Sequence, residues 1–146
     1  VTWDMPGVVT AVADTVQSAV GITRVYHAAG VGAQAIPPAV AEFPAVLVYP
    51  ETSDPVTAYA GQLRTTPIYI DVLTGRWDVG LNVATALQAM EAIIERLHAD
   101  VVLSPSARWV SYTVSWTLPL DWGGIIYVGG RIVVDVVEDQ QGVLQP

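Results

Sequence analysis

Two stretches of the chain repeat their apolar residues at helical spacing. Val9, Val12, Val16 and Ala19 share one face of a helix predicted from Met5 to Val20, with Asp4 and Pro6 suited to its first turn and Gly21 ending it. Val83, Leu87, Met90, Ile94 and Leu97 define a second helix, with Gln88, Glu91 and Glu95 on its opposite side and Asp78 or Asn82 as its N-cap. Elsewhere the pattern is that of strands. Ile22 to Ala28 reads as a short strand, Phe43 to Glu51 as an apolar strand bounded by prolines, and Leu63 to Leu73 as a longer one. From Trp109 to Leu118 the chain alternates strictly, with Val110, Tyr112, Val114, Trp116 and Leu118 facing one way and Ser111, Thr113, Ser115 and Thr117 the other. From Trp122 to Asp139, two glycine pairs bracket a short apolar run that leads into a β-branched strand.

Between these elements lie a Gly/Ala/Pro-rich connection from Ala28 to Pro44, a polar loop from Thr52 to Gly61 and a Ser/Pro turn around Pro105. The last residues, 139–146, read as a mobile tail. The order predicts one α+β domain spanning 1–146, with a mainly antiparallel sheet and two main helices packed on one face.

Composition narrows the function classes. An apolar content of 52% with a mean hydropathy of +0.45 is high for a monomer and predicts that some apolar surface meets another subunit. Charges or Gly/Pro interrupt every apolar run, so no membrane span is expected. Asp4 and Pro6 stand where a signal peptide would be basic, which points to synthesis in the cytoplasm. There is no cysteine, hence no disulfide framework, thiolate nucleophile or cysteine metal site. Fourteen acids face six bases, and all six are arginines. The lack of lysine excludes a Walker-type phosphate lysine and a Schiff base, and a net charge of −8 argues against holding duplex DNA.

Candidate chemistry is sparse, and no cofactor or metal is expected. His27 and His98 lack metal-ligand spacing and read as structural. Asp71 and Asp135 each sit within a strand and are candidate surface acids. They could converge as an acid/base dyad or a cation site, or each could be exposed or paired with an arginine such as Arg76 or Arg131. Glu138 and Asp139 read as a solvated strand end. Trp109, Trp116, Trp122, Tyr112 and Tyr127 cluster late in the chain without interleaved bases, which favours core or interface packing over a nucleic-acid groove.

Three segments carry a resemblance. FPAVLVYPE, TPIYIDVLTGRWDVG (Thr66 to Gly80) and WGGIIYVGGRIVVDVVE, in this order with the helix between them, resemble the tail-terminator or tail-completion proteins of the neck of long, flexible-tailed phages. The likeness covers roughly Phe43 to Glu138. Gly124, Tyr127, Gly129 and Arg131 fall at familiar positions of the closing hairpin, and Arg76 and Trp77 at the strand-to-helix passage. The resemblance implies a virion protein that assembles as a homo-oligomeric, hexameric ring on the tail-tube protein, stops tube growth and meets the head connector. Gly124, Tyr127, Gly129, Arg131, Arg76 and Trp77 would then be turn or interface residues, while Asp71 and Asp135 could line the lumen through which DNA passes. Another connector or stopper of the same neck, and a small-ligand-binding α+β domain, remain as alternatives.

Overall fold

The computed structural model describes residues 4–51, 63–76, 83–104 and 107–139. Asp78, Asn82, Trp77, Pro105, the polar loop and residues 140–146 lie outside them; Asp139 is the last residue of a strand.

Asp4 opens helix α1 (Met5–Gln17) by accepting the Gly7 N–H at 3.0 Å, and Pro6 occupies the first turn, where a missing N–H costs nothing. Val8, Val9, Val12, Ala13 and Val16 form its buried face. Helix α2 (Val83–Ala99) buries Ala86, Ala89, Met90, Ile93 and Leu97, while Gln88, Glu91 and Glu95 are exposed. Met90, Ile94 and Leu97 of the expected stripe are buried as the spacing predicts, whereas Leu87 is 38% exposed and the buried face extends instead over Ala86, Ala89 and Ile93.

The strands are β1 (Arg24–His27), β2 (Ala45–Pro50), β3 (Leu63–Arg76), β4 (Val102–Ser104), β5 (Ala107–Trp122) and β6 (Ile125–Asp139). They form one six-stranded sheet in the order β1-β2-β3-β6-β5-β4. Every pairing between these strands is antiparallel except β1 with β2. The described residues are thus α+β, with two α-helices and a mostly antiparallel, curled sheet. No helix of the described residues is long and apolar enough to cross a membrane.

Alternation along the strands feeds two hydrophobic clusters. Val46 and Val48 of β2, Ile68, Ile70 and Val72 of β3, and Ile132, Val134 and Val136 of β6 join the buried residues of α1 and α2 in the larger one. The smaller holds Val40, Ala45, Leu47, Leu73, Leu120 and Tyr127, with Ile36, Phe43, Trp122 and Ile125 packed around it. Here the Gly/Ala/Pro-rich connection acquires a role that no periodicity announced. The Tyr127 hydroxyl accepts the Val40 N–H at 3.0 Å, and the Trp122 indole N–H donates to the Pro37 carbonyl at 3.1 Å. The connection therefore seals the end of the β5–β6 hairpin.

Strand β5 departs from strict alternation. A register shift between Trp109 and Ser111 places Trp109 in the core, 9% exposed, and turns Val110 out, 50% exposed. Trp116, beside a second shift between Ser115 and Leu118, is 40% exposed. The buried Trp109 indole donates to the Leu97 carbonyl at 2.8 Å and locks the end of α2 to β5.

Candidate functional site

Two of the residues singled out in the sequence, Asp71 and Arg131, meet on the face of the sheet that carries the smaller cluster. In β3 the even positions Ile68, Ile70 and Val72 enter the larger core, so Tyr69 and Asp71 point the other way. Register sets Tyr49 opposite Tyr69 and Arg131 opposite Asp71. The Asp71 side chain is 3% exposed and its partner Arg131 32%. Arg131 grips the carboxylate with both arms of its fork, Nε to Oδ1 at 2.7 Å and a terminal nitrogen to Oδ2 at 3.2 Å. The Tyr49 hydroxyl donates to the same Oδ2. The Arg131 guanidinium also lies 4.5 Å from the centre of the Tyr69 ring, a cation–π contact. Tyr49 completes the cluster by packing on Tyr69 and Trp122, with ring centres 5.5 and 5.6 Å away.

A guanidinium fork and a phenol occupy this carboxylate, which leaves it poorly placed as a base. Asp71 is buried, not presented to a lumen or surface. Asp135 stands opposite Pro67, four residues along β3 from Asp71, or about 13 Å at strand rise. The two acids therefore form no dyad. Asp135 instead accepts the Ser111 hydroxyl at 2.7 Å on the exposed part of the sheet. Among the described residues no group of three or more His, Asp or Glu side chains is placed to hold a metal ion.

Burial, reinforced by the Asp71 charge and hydrogen bond, raises the Tyr49 phenol above its ordinary range, and the hydrogen bond to Asp71 does the same for Arg131. Neutral Tyr49 therefore contributes stability that is fully present below its unfolded pKa of about 10 and is lost as pH rises toward the folded value. Tyr49→Phe should lower stability by about 1–2 kcal/mol at neutral pH, because Asp71 loses a donor. Its urea midpoint should then fall less steeply than the parent's above pH ~10. Equal alkaline slopes in the two proteins would show that Tyr49 titrates as a free phenol.

The remaining predicted residues have structural duties. Gly124 follows Gly123 in the β5–β6 turn, both at positive φ, 82° and 61°. Gly129 lies in β6 away from any turn; it is glycine because a Cβ there would overlap the Val72 carbonyl of β3. Tyr127 is fully buried, so it is a core residue and not part of an exposed interface. Arg76 closes β3 opposite Tyr127. Glu138, read as solvated, is 3% exposed. It accepts from the Arg64 fork, with Nε at 2.9 Å, and from the Asp4 N–H at 3.2 Å, tying β6 to the start of α1. His98 contacts the Tyr112 hydroxyl at 3.0 Å and meets Trp109 edge-on, a structural position. His27 is buried, and its Nδ1 has no partner among the described residues.

No family model matches this sequence, and no curated protein matches it significantly.

Proposed function

We propose that the chain is a structural protein of a phage neck. It forms a ring, hexameric by the resemblance, that caps the tail tube, ends its polymerisation and joins it to the head connector. The observation that carries this proposal is the ordered run of three segments resembling tail-terminator proteins, ending in the long β5–β6 hairpin. Two further features are consistent with it. The polar cluster on the sheet is spent on internal bonds, which suits a scaffold. A groove of about 660 Å³ along α2, past Leu87, Glu91, Glu95 and His98, is an open cleft and not an enclosed apolar chamber for a small ligand.

In this proposal both helices cover one face of the sheet, as their shared core cluster suggests, and the uncovered part of the other face is available to neighbours. A net charge of −8 suits a conduit, since an acidic lumen disfavours phosphate sticking while DNA passes. The proposal is tested by adding purified protein to polymerising tube protein. Arrest of growth at substoichiometric amounts, with a ring on one tube end under the electron microscope, is expected. Growth unaffected by an excess of protein would refute capping.

A further inference from the structure

Among the described residues, strand β5 beyond Val110 has a partner on one side only. Strand β4 pairs with Ala107 and Arg108, and the Val101 carbonyl takes the Trp109 N–H. From Val110 to Trp122, β6 lies on one side, and among the described residues no strand lies on the other. Such an edge is ordinarily protected by charges or proline. This one has neither where it matters: no charged residue occurs from Trp109 to Leu120, and the one proline, Pro119, comes near the end. Between the two register shifts, Ser111 to Ser115 runs regularly against β6. Val110, Ser111, Thr113, Ser115 and Trp116 are all exposed.

The composition of the edge selects its partner. Reading outward from Val114 in both directions gives hydroxyl, aromatic, hydroxyl, apolar: Thr113, Tyr112, Ser111, Val110 one way, and Ser115, Trp116, Thr117, Leu118 the other. A strand with this symmetry is complementary to an antiparallel copy of itself. Val114 would face Val114, Thr113 would face Ser115 and Tyr112 would face Trp116, the kinds of cross-strand pair that stabilise sheets. A partner of unrelated sequence would give no reason for the symmetry. The charge-free stretch is also where two copies, each at −8, can approach without opposing carboxylates.

We propose that two copies of this chain pair through the free edge of β5, antiparallel about Val114, joining their sheets into one. The contact does not rest on the neck assignment. A two-fold contact closes after two copies, whereas a ring needs head-to-tail patches, so it describes the protein free in solution.

The chain has no cysteine, so one introduced residue reports the register. Residues directly opposite on antiparallel strands lie about 4.5–5.5 Å apart at Cα, within disulfide reach. Val114→Cys should oxidise to a covalent dimer about tenfold faster or more than Val110→Cys, whose symmetry mate is far along the strand, because pairing raises the effective thiol concentration. The parent should sediment as a concentration-dependent dimer. Thr113→Lys, an exposed substitution, should shift it to monomer with an unchanged circular dichroism spectrum, and its melting temperature should lose the parent's dependence on protein concentration. A parent that stays monomeric at its highest soluble concentration would overturn the proposal. So would Val114→Cys that crosslinks no faster than Val110→Cys.

Discussion

Gly129→Ala should destabilise the fold by about 3 kcal/mol or more, near the upper end for a single added methyl. Gly129 pairs with Leu73 where β6 passes close to β3, and its missing Cβ leaves room for the Val72 carbonyl. The obstacle is backbone in the middle of the sheet, which cannot swing aside as the end of a flexible side chain would. Moving it would disturb the Val72 and Leu73 contacts with both hydrophobic clusters at once. At Gly124, by contrast, the space is open and the only obstacle is a φ of 82°, so Gly124→Ala should cost about 1 kcal/mol. Urea denaturation of the three proteins gives the comparison directly. Equal losses at the two positions would mean that β3 and β6 are not in such close approach.

Arg131→Met should cost about 2–4 kcal/mol, somewhat less than breaking a fully buried pair because the arginine retains contact with water. The loss comes from what remains: an Asp71 carboxylate deprived of its counter-charge in a site that solvent barely reaches, 3% exposed. Asp71→Leu should cost less, since the guanidinium left behind, 32% exposed, can turn toward water and stay over Tyr69. The double variant should be more stable than the sum of the two losses implies. If Asp71→Leu proves the more damaging change, the arginine and not the acid is the trapped partner.

Much of the architecture was legible because it is periodic. The valines of α1 announce both their element and the face they bury, and the β-branched runs of β3 and β6 announce strands. Legibility failed where small residues or bulges intervene. In α2, Ala86 and Ala89 are buried where Leu87 is not, and alanine carries too little hydropathic contrast to outweigh Leu87. In β5 a single bulged residue reverses the phase, so Val110 is exposed and Trp109 buried despite flawless alternation in the sequence. Strand β4 spans three residues, too few to show a period. The connection through Pro44 has no period at all, and its role in covering Tyr127 and Trp122 exists only in three dimensions.

The candidate site was legible as a set of residues but not as an arrangement. Asp71 and Arg131 were both singled out, yet they are 60 positions apart, and only the β3–β6 register brings them together. The same holds for Glu138 and Arg64, 74 positions apart. A lone acid in a strand looks alike in sequence whether it is solvated or clamped. What separates the cases is a distant arginine on the same face of a neighbouring strand.

The neck assignment is tested most directly by the tail-length distribution in lysates of a phage strain from which the gene has been deleted, measured on electron micrographs beside the parent. The expected result is filled heads without joined tails, together with tails of uncontrolled length where tube protein continues to polymerise, and recovery of joining when purified protein is added. Normal tail lengths with normal infectivity would contradict the assignment; normal lengths with unjoined heads would contradict tube capping and leave a connector or stopper role.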